Sequence, residues 1–392
     1  MNTTSIRLKT KYNIVLEKLL ANLFFLLFSA QILSPFILGR TFYLEFFIAL
    51  CNPFFLLWIN KKTKKIWILW FLMFFVIVGI LLKFVLLLKL FFICITVLFL
   101  FYSYEQGMFY LYRYACVSVI FSIIQFAFLF IDPSISLMFG PDNISESIWG
   151  AYSTKSWSNF YTIFFIPRVS GLAREAGFFA SFLVCVIFIY RQQRLLNDIK
   201  KNKILTYFLL IGFVLSFSKM SIILLLVVAV SYMRKLIDRI PLLLIVGLFV
   251  VCMIVLWSNL DSILFDIRNS SLVHRFAGYP TLLDLNSIQL LFGEIDLSDI
   301  SSRYAKLLVD SNFDRAAGFS GFFIENGLIF SLIFFVFLWL LGCSSTGCLL
   351  LLLFTINVDV TTNQNFVVLS YFLIFKFFNS HTCLFSSKPI NV

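Results

Sequence analysis

The run Pro167-Arg168-Val169-Ser170-Gly171-Leu172-Ala173-Arg174-Glu175-Ala176-Gly177 concentrates more chemistry than any other part of this chain. Pro167 suits the first turn of a helix. A helix starting there places Arg168, Gly171 and Glu175 at i, i+3 and i+7, on one stripe, with Gly171 leaving a gap between the two charges. Arg174 lies about 100° around from Glu175. Charges inside an apolar spanning helix are costly, so this group predicts a polar cavity. Two arginines and the positive end of a helix dipole suit a phosphate or diphosphate. Glu175 beside them can accept a proton from a hydroxyl. An Arg–Glu pair joining two helices is the plainer alternative, but it leaves a surplus cation.

Other candidates are sparser. Ser216-Phe217-Ser218-Lys219 reads as a turn between two apolar runs. Ser218 can cap the returning helix, and Lys219 adds a cation for the same anion, or simply snorkels. Arg275, with His274 before it and Arg268 seven residues earlier, can fold over the cavity and clamp the anion. A solvated loop charge is the alternative for both arginines, and His274 is a weaker candidate for a base. Glu325 is either functional or a carboxylate that favours its helix N-terminus.

The elements that must hold these residues follow from composition. Of 392 residues 61% are hydrophobic and 13% charged, against about 45–50% and about 25% in a soluble globular chain. Mean hydropathy is +0.98. At about 20 residues per span, the apolar content suffices for roughly twelve. A soluble enzyme, a disordered chain and a single-anchor protein are excluded. So is a β-barrel, whose strands alternate where these runs are continuous. The expected fold is an all-α polytopic membrane protein, residues 1–392 forming one integral membrane domain. The spans fall near 19–38, 42–60, 66–82, 84–103, 109–131, 168–190, 204–217, 219–233, 240–257, 321–341, 346–359 and 366–379.

A net charge of +12 would suit nucleic acid in a soluble protein. Here the positive-inside bias is the simpler cause, and no nucleic-acid partner is expected. With both termini cytoplasmic, the inner side collects most of the 31 basic residues, including Lys61, Lys62, Lys64, Lys65, Arg191, Arg194, Lys200, Lys201 and Lys203. Two long loops then lie outside, 132–167 and 258–320. Mixed charge and scattered Leu, Ile and Phe make the second a folded lid, long enough for short helices. The basic start runs into an uncleaved first helix. Eight cysteines without a CxxC pair read as reduced, and two histidines give no zinc site. The 52 phenylalanines are expected to fill lipid-facing positions.

The pattern Arg168-x-Ser170-Gly171-x-x-x-Glu175, the serine-rich turn Ser216 to Ser221, and an outer loop closing on Leu291-Phe292-Gly293 and then Gly321 to Gly327 resemble the superfamily of O-antigen polymerases (Wzy-type) and O-antigen ligases. The likeness covers most of the chain. Ala176 stands where the polymerase pattern usually has proline. The ligase branch typically has an Asp-Pro-Asn-like motif and a loop histidine, a place His274 occupies. Glu175 favours the polymerase branch. The resemblance implies a GT-C-like, metal-independent glycosyltransferase of the bacterial inner membrane, with no cofactor. It would transfer a glycan from undecaprenyl diphosphate to another lipid-linked oligosaccharide repeat unit at the periplasmic face. The diphosphate would be held by Arg168, Arg174, Arg275 and Lys219, with Glu175, Arg168 and Arg174 at the reaction centre. Its partners would be that oligosaccharide, the bilayer, and a chain-length regulator and flippase of the same pathway.

A ligase, a flippase or other transporter, and a non-catalytic scaffold are the alternatives. A transporter places polar residues near mid-membrane in discontinuous helices, often in repeated halves. Here they cluster at one face. The topology has a direct test. In intact spheroplasts an impermeant thiol reagent should label a Ser301→Cys variant, and labelling only after lysis would reverse the orientation.

Overall fold

The computed structural model describes residues 3–37, 40–62, 84–153, 162–163, 166–196, 202–218, 220–267, 270–293, 296–311 and 315–379. Among the described residues the fold is all-α apart from two short hairpins and an isolated bridge between Cys343 and Asn379. Among the described residues five helices are long and apolar enough to cross a membrane: Val85–Glu105, Phe109–Ile131, Ala176–Leu195, Leu242–Asn259 and Gly318–Leu340. The bent pair Leu44–Leu50 and Pro53–Lys61 makes a sixth if taken as one span. Of the other runs expected to span, 66–82 lies outside the described residues. Those at 204–217, 219–233, 346–359 and 366–379 correspond to helices of 13, 13, 10 and 13 residues. The chain divides into two units, Met1–Leu224 with Asn363–Leu373, and Leu225–Thr362 with Ile374–Val392.

The first unit opens with α1 (Thr3–Ser29), a 3-10 turn at Gln31–Leu33 and the hairpin β1 (Phe36–Ile37) and β2 (Arg40–Thr41). Helices α2 (Leu44–Leu50) and α3 (Pro53–Lys62) follow. The straight span expected over 42–60 is bent there by 65°. Asn52 and Pro53 are the cause. Proline cannot donate to the preceding turn. Asn52 Oδ1 instead accepts from Phe54 N at 3.0 Å and Phe55 N at 3.1 Å, capping a new helix.

Next come α4 (Phe84–Glu105), α5 (Phe109–Ile131), α6 (Pro133–Met138) and α7 (Pro141–Trp149). The hairpin β3 (Thr162–Ile163) and β4 (Ile166–Pro167) precedes α8 (Ala176–Leu195) and α9 (Lys203–Leu215). Polar contacts collect at one end of these helices. Tyr102 and Gln106 donate to Glu17, Trp58 Nε1 donates to Glu105 Oε2 at 2.9 Å, and Tyr112 donates to Gln193. At the other end, Leu172 packs with Ala30, Ile32, Val117, Phe121 and Ile144. The core between is aromatic. Phe24, Phe25, Phe28, Phe55 and Phe99 are all buried, with Phe24 and Phe99 centroids 4.0 Å apart. The expectation that phenylalanine fills lipid-facing positions therefore fails for this group. Their large rings fill the space between helices, where edge and offset contacts add to burial.

In the second unit, α10 (Met220–Tyr232), which begins in the first, leads to α11 (Arg234–Ile237) and α12 (Leu242–Ile267). The 258–320 segment holds the end of α12, then α13 (Ser270–Phe276), α14 (Gly278–Thr281), α15 (Ser287–Phe292) and α16 (Arg303–Asp310). These enclose their own apolar cluster, which includes Trp257, Val273, Leu282, Leu297, Ile300 and Leu308. Helices α17 (Gly318–Leu340), α18 (Ser345–Phe354) and the end of α19 (Asn365–Phe377) complete the unit. Arg234 donates from Nη1 to Phe377 O at 3.0 Å and from Nη2 to Asn379 O at 3.3 Å, a cation on the C-terminal carbonyls of α19. Asp238 holds Arg234 by one oxygen and accepts Thr346 N by the other.

Helix α17 is broken at Gly327, with φ 75° and ψ 174°. The chain just past α15 fills the break. A Cβ on Gly327 would lie 2.4 Å from Leu291 O, and one on Gly293 would lie 2.5 Å from Gly327 N. Backbone meets backbone there, and neither atom can yield. Gly327→Ala should lower stability by about 2 kcal/mol or more, through both strained φ and overlap. Gly247→Ala in α12, with nothing within 4 Å of its Cβ, should be neutral or stabilising by up to about 1 kcal/mol. Thermal unfolding of the purified chains compares them. Equal midpoints would mean that the crossing tolerates a side chain.

Candidate functional site

The helix expected from Pro167 is absent. Pro167 belongs to β4, residues 168–170 are irregular, 171–175 form turns and bends, and α8 starts at Ala176 with Glu175 as its N-cap. Arg168, Gly171 and Glu175 therefore share no helical stripe. The cause is a set of hydrogen bonds from α5. Gln125 Oε1 accepts Gly171 N at 3.0 Å, and Gln125 Nε2 donates to Gly171 O at 2.9 Å. Ser118 Oγ accepts Leu172 N at 3.0 Å. These side chains take the places that i−4 and i+4 backbone partners would have in a helix. Gly171 has φ +56°, and a Cβ there would stand 2.7 Å from Ser118 O. Only glycine fits that approach.

The loop is deeply buried. Val169, Ser170, Leu172 and Ala173 have relative exposures of 0–7%, and Arg174 is 7% exposed. Burial pulls the Arg174 guanidinium below its ordinary pKa, while Tyr43 and Asp142 act in the opposite sense. Arginine keeps its proton in proteins, so a positive charge stands at the start of α8. Its Nε has no hydrogen-bond partner among the described residues. Arg168 precedes it in the same loop, half-buried. Glu175 accepts Phe179 N through its carbonyl at 3.0 Å, but its carboxylate makes no capping bond to the helix. The first N–H groups of α8 add positive potential beside these residues. Two arginines, a helix N-terminus and one carboxylate thus share a fixed loop. That arrangement can bind an anion and accept a proton.

Gln125, Ser118, Tyr43 and Asp142 were not among the sequence candidates. The first two carried a readable signal, as hydrogen-bonding residues inside the apolar run 109–131. Lys219 and Arg268 lie outside the described residues. Ser216 ends α9, its hydroxyl donating to Phe213 O at 2.6 Å, and Ser218 is buried. Arg275 and His274 belong to the second unit, in the last turn of α13. Arg275 is 7% exposed. His274 O accepts Ala317 N at 3.1 Å. Glu325 is partly exposed and pairs with Arg315 Nη1 at 2.9 Å. Among the described residues no group of three or more His, Cys, Asp or Glu is arranged to hold a metal.

Comparison of the chain with family models, with curated proteins and with solved structures finds no match.

His274 supplies a pH prediction. Burial, helped by the adjacent Arg275 charge, pushes its pKa down to about 4 from 6.5. The unfolded chain thus takes up this proton at higher pH than the folded one. The stabilisation is present above pH 6.5 and is lost as pH falls toward 4, about 2–3 kcal/mol in all. The thermal midpoint should fall between pH 7 and pH 4.5, and His274→Gln should fall less. Parallel curves for both proteins would show that this imidazole is not the cause.

Proposed function

We propose that this chain is an O-antigen polymerase. In this reading it is a GT-C-like glycosyltransferase of about twelve spans in the bacterial inner membrane. Both termini are cytoplasmic, and residues 132–167 and 258–320 are periplasmic. It joins undecaprenyl-diphosphate-linked oligosaccharide repeat units during lipopolysaccharide O-antigen biosynthesis. The observation that carries the reading is the buried Arg174, fixed with Arg168 in a locked loop at the start of an apolar helix long enough to span.

The chemistry suits that loop. An acceptor hydroxyl attacks the anomeric carbon of the donor sugar. A new C–O bond forms, the bond from that carbon to the diphosphate oxygen breaks, and the electron pair leaves with undecaprenyl diphosphate. Such a leaving group needs cations rather than a general acid, and Arg168, Arg174 and the α8 N-terminus supply them. The hydroxyl proton passes to Glu175. Lys219 and Arg275 enter this reading from the sequence alone. The O-antigen ligase alternative rests on His274 as the loop histidine, and burial, which lowers its pKa, weakens it as a base.

The lipopolysaccharide gel pattern of a strain lacking the gene separates the readings. A polymerase leaves a single repeat unit without the ladder. Loss of all O-antigen means ligase or flippase. Glu175→Gln should reduce polymerisation by about 10²–10⁴-fold if the carboxylate is the base. Arg174→Lys should be poorly active, because the bidentate grip on phosphate oxygens is lost. Long chains from both variants at normal membrane abundance would remove this site.

A further inference from the structure

Helix α15 turns its large apolar side chains outward. Ile288 is 74% exposed, Phe292 56% and Leu291 38%. These positions, i, i+3 and i+4, form one face of a helix. No charge falls within 285–293, between Asp284 and Glu294. Every exposed residue from 296 to 306 is by contrast polar: Asp296, Ser298, Asp299, Ser301, Arg303 and Lys306. The segment thus carries an apolar face and a polar stretch close together in sequence. Clustered exposed apolar side chains mark a surface that something apolar covers.

The helix against which α15 packs identifies the cover. Helix α17 is long and apolar enough to cross a membrane. From Gly318 to Gly327 none of its residues is exposed. Beyond the break Ile329, Leu332, Val336 and Trp339 are exposed, at spacings of three and four. Such a stripe on a spanning helix faces lipid. Trp339 stands at its end, where interfacial indoles stand. From Trp339 back to Gly327 is about 18 Å of helix, against a hydrocarbon core of about 30 Å. The junction with α15 then lies roughly 10 Å below the opposite surface, a depth that interfacial helices reach. The backbone of Leu291 to Gly293 abuts Gly327, two residues from the start of the stripe. The two exposed apolar surfaces therefore adjoin, and α15 continues the stripe where α17 itself is covered.

Backbone at that depth needs partners within the protein. Asn286 Oδ1 accepts Gln289 N at 2.9 Å, and Gln289 Oε1 accepts Asn286 N at 3.0 Å. Gly293 N donates to Gln289 O at 2.9 Å. This short helix closes its own ends. We propose that α15 is seated in the bilayer, with Ile288, Leu291 and Phe292 among the acyl chains of the leaflet opposite Trp339. It moors the 258–320 segment to the membrane while the polar stretch from Asp296 stays in water. The inference rests on α17 crossing the membrane and is independent of the polymerase reading.

The test uses the full chain in lipid nanodiscs. An environment-sensitive fluorescent amino acid is placed by stop-codon suppression at Ile288, at Phe292 or at Ser298. Emission at 288 and 292 should shift to the blue and be quenched when the phosphatidylcholine carries brominated chains. Emission at 298 should do neither. Separately, Ile288→Asp should lower the thermal midpoint in nanodiscs and Ser298→Asp should not. A water-facing Ile288 would tolerate the charge. Unshifted, unquenched emission at 288 and 292 would put this face in water and overturn the proposal. Blue-shifted emission that bromine leaves untouched would overturn it too, because a protein surface, such as a second copy of the chain, would then be the cover.

Discussion

The carboxamide of Gln125 is the interaction on which the arginine-bearing loop depends. It gives Gly171 both an acceptor and a donor, and its Nε2 reaches Phe139 O at 2.7 Å as well. Non-helical backbone can lie within an apolar bundle only if its N–H and C=O groups find partners in the protein. One side chain of α5 meets that requirement for the tightest part of the loop and ties it to the chain following α6. Ser118 completes the set two turns earlier on the same helix. The start of α8, and with it the placement of Arg174, follows from this support.

The second unit meets a related constraint differently. At Gly293 and Gly327 the space is closed by removing side chains rather than by hydrogen-bonding ones. Gly278 repeats the device, its α-carbon facing Ser320 and Ala316. Small residues allow main chains to approach closely in apolar surroundings, where dispersion contacts must hold helices together. The short helices of the 258–320 segment seat against α17 by this means and through their own apolar cluster.

Sequence reading recovered what hydropathy encodes. The cores of 84–103, 109–131, 240–257 and 321–341 all fall in helices long enough to span. It failed where a local signal competes with a long apolar run. Asn52-Pro53 marks a helix start and was overridden by hydropathy on both sides. Pro167 reads locally as a first helical residue, but four and five residues later Gly171 and Leu172 depend on partners 46 and 54 positions away in the chain. No local pattern encodes such partners. Arg168, Arg174 and Glu175 were found as types and as near neighbours, but their geometry was not.

The break in α17 also bears on how movement travels. Residues 291–293 touch the helix backbone at Gly327 directly, with no compressible side chain between. A shift of α15 is therefore passed on undamped to the middle of an apolar helix. The segments on either side of Gly327 meet at a residue whose φ of 75° lies outside helical geometry. Whatever bears on α15 therefore bears directly on the interior of the unit.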